Sequence, residues 1–166
     1  PYLWMYLYGK SGGLNFDPSL LGLMIFAGVV CAMVSLPVAG SLCDRLGRRK
    51  MMGVFLISQS ILVPVYAYAR TYMQFLLLYA LVSALGAFYD PAFSAMIADL
   101  VQPDRREEVF GFSYMTSNLA AVVGPPIGGL LVGMSGYPIL FMYAAFFLAT
   151  GLSILSLFIK EPTPRE

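Results

Sequence analysis

The chain has 166 residues, of which 59% are hydrophobic and only 11% are charged, and its mean hydropathy is +0.77. Ten basic and nine acidic side chains cannot form the polar shell that a soluble domain of this size needs, so a water-soluble all-α core is a poor interpretation. The formal net charge is only +1, so the placement of charge along the chain is more informative than its total.

Four runs of the sequence contain no Asp, Glu, Lys or Arg and are long enough to cross a bilayer, which takes about 20 apolar residues in a helix. They cover residues 18–43, 51–69, 71–89 and 109–159. The last run holds two crossings, separated by a turn at 133–138 that contains glycine and proline. No run alternates with the period of two that a barrel strand requires, so the predicted fold class is an all-α membrane protein.

In chain order, the predicted elements begin with residues 1–8, an apolar and aromatic stretch that is too short to span the bilayer. We expect it to be the outer end of a first helix that is truncated here. The second helix is predicted over residues 20–42, with Asp17 as its cap and Pro18 at its first position. Pro37 is expected to interrupt this helix and bend it.

The later helices are predicted over residues 51–69, 71–100, 108–131 and 138–159. Pro91 lies inside the fourth helix, and Pro125 and Pro126 should interrupt the fifth. A passive anchor needs only apolar length, whereas proline and glycine are common where membrane helices bend or pack closely. The pattern therefore favours a tightly packed or moving bundle.

Basic residues fall mainly on alternate connections between these helices. Eight of them follow the second, fourth and sixth helices: Arg45, Arg48, Arg49, Lys50, Arg105, Arg106, Lys160 and Arg165. The opposite connections carry only Lys10 and Arg70. Because short connections rich in Lys and Arg stay cytoplasmic, residues 43–51, 99–108 and 160–166 are predicted to face the cytoplasm.

The connection between the second and third helices reads GSLCDRLGRRK over residues 40–50. Gly47 permits a tight reversal, and the basic cluster suits the anionic inner face of a membrane. A loop that only sets topology would explain the basic residues. It would not explain Asp44 or the glycines at both ends.

This string resembles the G-x-L-a-D-R-x-G-R-R/K pattern that the major facilitator superfamily carries at the same place. Cys43 replaces the usual alanine, and seven residues match: Gly40, Leu42, Asp44, Arg45, Gly47, Arg48 and Arg49. The resemblance implies the amino-terminal six-helix half of a major facilitator fold, with residues 1–160 as the bundle and 161–166 as the start of a central cytoplasmic linker. It implies that Asp44 and Arg45 help to latch the two halves on the cytoplasmic side, with Arg106 near this network.

The fifth helix contains AAVVGPPIGG over residues 120–129. Glycines four residues apart give a small face for close helix contact, and generic packing is the plain interpretation. The string is also similar to the g-x-x-x-G-P-x-x-G-G motif of antiporters in the superfamily. Ala120 stands in for the leading glycine, and the remaining positions are Gly124, Pro125, Gly128 and Gly129. This resemblance implies export in exchange for protons.

Asp90 is a carboxylate inside the fourth helix, where an ionised group costs about 3 kcal/mol and usually marks a pathway or a relay. Helical periodicity gives it a small and polar face that includes Tyr79, Ser83 and Ser94. Asp90 is therefore a candidate proton carrier. Alternatively, it is a structural residue that bonds neighbouring hydroxyls or the backbone freed by Pro91. The arginine that many proton antiporters of the superfamily carry in this helix is absent.

Two residues of the fifth helix, Tyr114 and Asn118, are candidates for lining a central cavity. Asn118 could instead hydrogen-bond a neighbouring helix. Most of the aromatic side chains, Tyr89 and Phe93 among them, are interpreted as lipid-facing, core or interfacial residues.

The function predicted from these features is secondary active transport, with export of small hydrophobic or amphipathic compounds in exchange for protons by alternating access. A sugar or metabolite carrier of the same superfamily is one alternative, and a non-transporting membrane scaffold or receptor is another. The sequence has no histidine and no phosphate-binding loop, so we predict no enzymatic activity, cofactor, metal or nucleic-acid partner. The expected partners are the substrate, protons, the bilayer and a missing carboxy-terminal half, and the complete protein is expected to be a monomer in a bacterial inner membrane.

Overall fold

Six α-helices and one short 3₁₀ helix account for most of the described chain. The computed structural model describes residues 18–158, and within them there is no strand, which confirms the all-α prediction. The helices are α1 Pro18–Leu46, α2 Arg48–Val65, α3 Tyr72–Gly86, α4 Tyr89–Leu100, the 3₁₀ helix Pro103–Arg105, α5 Arg106–Ser135 and α6 Tyr137–Phe158. The expected partial first helix at 1–8, the Asp17 cap and the linker at 161–166 lie outside the described residues.

Four stretches of the described chain are long and apolar enough to cross a membrane. They are Ser19–Leu46, Tyr72–Leu100, Pro103–Met134 and Tyr137–Leu157. Helix α2, predicted as the third span over 51–69, does not meet the same standard because three of its 18 residues, Arg48, Arg49 and Lys50, are basic. It ends at Val65, and the chain continues to Ala69 through backbone hydrogen bonds between residues three apart.

The predicted interruptions at Pro37 and at Pro125–Pro126 are wrong, whereas the bend expected at Pro37 stays a prediction. Pro37 lies inside a continuous α1, and both later prolines lie inside a continuous α5. A proline removes one backbone hydrogen bond from a helix. Ending the helix inside the membrane would remove several, because no water is present there to bond the freed backbone groups.

The fourth span is broken where a single helix over 71–100 was predicted. Helix α3 ends at Gly86 and α4 begins at Tyr89, although Ala87 and Phe88 keep backbone angles close to helical values. Pro91 has no N–H to bond the carbonyl of Ala87 four residues earlier, and its ring crowds that carbonyl. Gly86 adds a backbone with little intrinsic helix preference at the same point.

The start of α3 is fixed by local side-chain chemistry. The Thr71 hydroxyl accepts a hydrogen bond from the backbone N–H of Gln74 at 3.4 Å, and the Gln74 side-chain oxygen accepts one from the N–H of Thr71 at 3.1 Å. This reciprocal pair satisfies two donors that have no partner within the helix. It places the beginning of the fourth span where the sequence predicted it.

Two helix pairs have the most extensive contacts: α1 with α3, which run parallel, and α2 with α6, which run antiparallel. A methyl group added at Gly28 of α1 would lie 2.6 Å from Cδ1 of Tyr79 and 2.8 Å from the Ser83 hydroxyl, both on α3. At this α1–α3 crossing, any side chain at position 28 would force the Tyr79 ring and the Ser83 hydroxyl to move. Helix α5 is packed much less tightly, and one face of it is largely uncovered by the described residues.

Two separate hydrophobic cores lie at opposite ends of the bundle. The first, here called the Tyr66 core, consists of Met24, Tyr66, Ala69, Phe75 and Phe141. The second, the Met51 core, consists of Cys43, Met51, Met52, Ala92, Met96 and Leu155. The break in the fourth span lies between them, so α3 contributes to the first core and α4 to the second.

Candidate transport cavity and the Gly47 turn

The connection between α1 and α2 is a single residue, Gly47. Its φ of 94° lies in the left-handed region that favours glycine, and its N–H donates to the Cys43 carbonyl at 3.1 Å. The carbonyl of Gly47 accepts from the N–H of Met51 at 3.2 Å, which starts α2 at once. The predicted tight reversal at Gly47 is confirmed.

The two arginines that follow Gly47 each contact another helix of the bundle. Arg48 forms an ion pair with Asp99 in the last turn of α4. Arg49 donates to the Ser156 carbonyl near the end of α6 at 2.7 Å. Both contacts supply a partner or a favourable charge to the carboxyl end of another helix, where carbonyls have no partner of their own.

Arg106 has a comparable role at the other cytoplasmic connection predicted from the sequence. Its guanidinium donates to the carbonyl of Val101 at 3.3 Å and to the carbonyl of Ala98. Arg106 therefore caps the end of α4. Within the described residues it makes no contact with Asp44 or Arg45, and its predicted place in a gating network stays a prediction.

Asp44 and Arg45 differ from their neighbours. Both side chains are exposed, and neither forms a hydrogen bond or an ion pair with another described residue. A methyl group on Gly40 would meet nothing within 4 Å. Within this motif, Arg48 and Arg49 therefore contact other helices of the bundle, whereas Asp44 and Arg45 do not.

The glycines of the α5 stretch differ in their surroundings within the described part of the chain. Gly124 and Gly129 are exposed, and a methyl group at Gly124 would have nothing within 4 Å; Gly128 is buried. Close packing through Gly124 thus has no partner among residues 18–158, and the proposed antiporter role of Pro125 and its glycines stays a prediction.

Asp90 lines a cavity of about 840 Å³ between α4 and α5. The carboxylate is exposed to this space and makes no hydrogen bond or ion pair with another described residue. The structural alternative for Asp90, a bond to nearby hydroxyls or to freed backbone, is therefore not realised within residues 18–158. A volume of this size lies within the range of sites that hold drug-sized molecules, which is about 300–1,000 Å³.

Aromatic and hydroxyl side chains form most of the cavity lining. The aromatic members are Tyr89, Phe93, Phe110, Phe112 and Tyr114. The hydroxyl members, apart from tyrosines, are Ser94, Ser113, Thr116 and Ser117. Tyr89 and Phe93 are stacked, with ring centroids 5.4 Å apart and planes at 11°, and Phe55 of α2 supports Tyr89 from 5.0 Å.

The two candidates on α5 have different positions. Tyr114 is among the residues that line this cavity, whereas Asn118 is not. The amide of Asn118 instead donates to the Tyr114 carbonyl of its own helix at 2.8 Å. The preceding residue, Ser117, does line it, because adjacent residues of a helix point about 100° apart.

The predicted polar face of Asp90 is divided by the break in the fourth span. Ser94, on α4, lines the cavity with Asp90, but Tyr79 and Ser83, on α3, lie against Gly28 of α1. Phe110, Phe112, Ser113 and Thr116 also line the cavity and were not predicted from the sequence. A stripe at helical spacing through Phe110, Ser113, Ser117 and Ala120 would have indicated four of the seven lining residues on α5.

The profile of the Major Facilitator Superfamily matches residues 2–166, nearly the entire chain. The chain belongs to this superfamily. The prediction from the Gly47 turn is thereby confirmed, as is the multi-pass membrane character that the four long apolar helices indicate.

Several curated members of the major facilitator superfamily are similar to the chain. A Na(+), Li(+), K(+)/H(+) antiporter from Planococcus maritimus is 27% identical over 158 residues, and Multidrug resistance protein 1 from Bacillus subtilis is 28% identical over 154. These alignments cover 92% of this chain but only 37% and 40% of the relatives. Multidrug resistance protein MdtG from Serratia proteamaculans is 31% identical over 158 residues, with 93% and 38% covered. The chain spans less than half the length of these relatives.

Proposed function

We propose that this chain is one half of a transporter that exports small hydrophobic or amphipathic compounds in exchange for protons by alternating access. The observation that carries the proposal is the cavity between α4 and α5, which combines drug-like volume, five aromatic side chains and one unpaired carboxylate. Aromatic walls suit apolar substrates of varied shape, and a few polar groups orient them. Relatives that are named multidrug resistance proteins support the same conclusion.

Asp90 is the proposed proton carrier. It lies inside the span Tyr72–Leu100, where no Lys or Arg neutralises it along the helix. An ionised carboxylate is unfavourable in the middle of a membrane, and taking up a proton removes that cost. A group of this kind can bind a proton on one side and release it on the other when its surroundings change.

The proposed gate uses the residues that make no contact within this bundle. Arg48 and Arg49 hold the ends of α4 and α6, so Asp44 and Arg45 remain available to contact the carboxy-terminal half of the complete protein. A carboxylate at this position suits the positive end of a helix from that half. The exposed Gly124 and Gly129 of α5 would pack against neighbouring helices of the same protein.

The proposed location is a bacterial cell membrane, with the basic connections and the central linker in the cytoplasm. The support is the placement of Arg45, Arg105 and Arg106 on connections of the same predicted side, together with the bacterial origin of the relatives. The complete protein is proposed to act as a monomer, because one chain of this superfamily contains both halves.

An Asp90→Asn variant of the full-length protein tests the proton step. With an uncharged substrate, efflux driven by a pH gradient should fall at least about tenfold, because an amide cannot carry the proton. Efflux is measured in vesicles with an imposed gradient, and binding of the same uncharged substrate should be retained. Asp104→Asn, an exposed acid outside the cavity, is the matched control. Gradient-driven efflux at the rate of the unmodified protein would remove Asp90 from the mechanism.

An Asp44→Asn variant tests the gate. The loss of the carboxylate should shift the resting population toward the inward-open state, because the latch on the cytoplasmic side is weakened. Labelling of single cysteines placed on each side of the membrane measures the two populations. An accessibility pattern identical to that of the unmodified protein would contradict the gating role.

A further inference from the structure

Gln59, in the middle of α2, is a buried polar residue that the proposed transport mechanism does not use. Only 6% of it is exposed. Its side-chain amide donates to the carbonyl of Val82 on α3 at 3.0 Å. A buried amide is unfavourable unless such a bond is made, so this bond fixes where the end of α3 lies relative to α2.

The acceptor of this bond lies just before the break in the fourth span. Gly86, the last residue of α3, donates to the same Val82 carbonyl in the regular helical pattern. Beyond this point the pattern changes, because Phe88 donates to the Leu85 carbonyl three residues earlier. A side chain that bonds into the backbone ladder of a helix favours a bend, and here it acts together with Pro91.

A second contact joins α2 to the other side of the break. The centroid of the Phe55 ring lies 5.0 Å from that of Tyr89, the first residue of α4. Phe55 and Gln59 are four residues apart, so they share one face of α2. This face therefore holds the end of α3 with a hydrogen bond and the start of α4 with a ring contact.

The two segments of the fourth span belong to different cores. Val82 packs against the Tyr66 core, whereas Tyr89 packs against the Met51 core. Packing within one core therefore cannot by itself set the direction of the segment that belongs to the other. Helix α2 contacts both α3 and α4, and its Phe55–Gln59 face lies at the break between them.

We propose that Gln59 is a positioning residue that sets the angle between α3 and α4 at the break in the fourth span. Because Tyr89 and Asp90 begin α4 and line the cavity, this angle also sets where the α4 wall lies relative to α5. The inference rests on the proposed transport function only in treating the cavity as the transport site, since the angle itself is a property of the fold.

A Gln59→Met variant tests this role, because methionine is similar to glutamine in length but cannot donate to Val82. The Val82 carbonyl keeps its bond from Gly86, so no buried group is left without a partner. The melting temperature should therefore change by less than about 3 °C. A residue that only stabilised the bundle would lower the melting temperature without changing the angle.

The angle is measured as the distance between two spin labels by electron–electron double resonance, with no substrate or gradient present. The labels replace Leu77 of α3 and Leu100 of α4, which are both exposed, in full-length protein freed of native cysteines. A rotation of about 10° moves the end of the 12-residue α4 by about 3 Å, because this helix is about 18 Å long. Gln59→Met should shift or broaden the distance distribution by at least that amount.

Two further variants accompany this measurement. Phe55→Leu should also shift or broaden the distribution, because it loosens the contact with Tyr89 on the other side of the break. Ser60→Ala is the matched control, because the Ser60 hydroxyl donates at 2.7 Å to the Leu56 carbonyl of its own helix. This control should leave the distribution unchanged.

A transport measurement links the angle to the cavity. For efflux of an uncharged substrate, Gln59→Met should raise KM at least about fivefold and change kcat by less than about twofold, because a displaced wall weakens substrate binding while Asp90 remains. Ser60→Ala should change neither constant. A shifted label distance with an unchanged KM would support the positioning role and would count against the cavity as the transport site.

Two outcomes would overturn the proposal: an unchanged label distance in Gln59→Met, or an equal change of that distance in Ser60→Ala. Because the distance is measured without substrate or gradient, the proposed transport function can fail while the positioning role stands. Gradient-driven efflux can likewise depend on Asp90 while the loss of the Gln59 amide leaves the distance unchanged.

Discussion

The two ends of the bundle are packed by different means. In the Tyr66 core, the ring of Tyr66 stacks on Phe75 at 5.8 Å and on Phe141 at 5.9 Å, with planes within 27°. In the Met51 core, Met51, Met52 and Met96 fill the space instead. Stacked rings have few alternative arrangements, whereas methionine has three rotatable bonds and adapts to neighbours that move.

The polar contacts at the two ends differ in the same way. Near the Tyr66 core, the Tyr72 hydroxyl donates to the Leu20 carbonyl at 3.0 Å, which joins α1 and α3 directly. Near the Met51 core, the long side chains of Arg48 and Arg49 connect α2 to Asp99 of α4 and to the Ser156 carbonyl of α6. The Met51 end, next to the proposed gate, thus has three methionines in its buried core and two arginine contacts, whereas the buried core of the Tyr66 end has one methionine and three stacked rings.

The largest expected effect belongs to the rigid side of this comparison. Gly28→Ala should cost about 3 kcal/mol of stability, because the new methyl group would overlap the Tyr79 ring. Thermal unfolding in detergent measures the loss. Gly22→Ala on the same helix, where a methyl group meets nothing within 4 Å, should cost nothing. Equal melting temperatures for the two variants would break the claim that the α1–α3 crossing is rigid.

A matched pair of core substitutions tests the difference between the cores directly. Phe75→Leu should cost about 2 kcal/mol, since stacking is lost together with ring volume. Met96→Leu, which conserves volume in the adaptable core, should cost less than about 1 kcal/mol. Both residues are nearly fully buried, so burial does not confound the comparison. A larger loss for Met96→Leu, by the same melting assay, would reverse the assignment of rigid and adaptable ends.

The smallest expected effect concerns the contact between Arg49 and the Ser156 carbonyl. Arg49→Gln should cost about 1 kcal/mol, because the contact with the Ser156 carbonyl is lost at a partly exposed site. Arg45→Gln removes an equal charge that has no such contact and should leave stability unchanged. If both variants lowered stability equally, the effect would come from the change in net charge, and the contact between Arg49 and Ser156 would not contribute to stability.

Much of this fold could be predicted from local sequence features. The uncharged runs predicted the spans, because a helix that crosses a bilayer must have a minimum apolar length. Gly47 predicted the reversal, because few residues other than glycine adopt its φ. The prolines led to two opposite errors in predicting where helices end. Pro37 was expected to interrupt and bend a helix that is continuous, and Pro91 lies just after a break that was not expected. Gly86 distinguishes the second case, since it weakens the helix where Pro91 frees a carbonyl.

Less of the candidate site could be predicted, because its contacts join distant parts of the chain. The cavity position of Asp90 was accessible from its charge, but its separation from Tyr79 and Ser83 depends on the broken span. The contact between Arg49 and Ser156 joins residues 107 positions apart, and no local pattern specifies such a pair. Choosing Ser117 over Asn118 requires the rotation of α5 about its axis, which is set by packing.

That 107-residue separation also has a consequence for biosynthesis. Helix α2 begins with three basic residues and has its most extensive contact with α6, the last described helix to leave the ribosome. At translation rates of about 5–20 residues per second, α2 must wait roughly 5–20 s for that partner. During this interval α2 can contact only α1, α3, α4 and α5, which leave the ribosome earlier. Of the two most extensive helix contacts, the α2–α6 contact therefore forms after the α1–α3 contact.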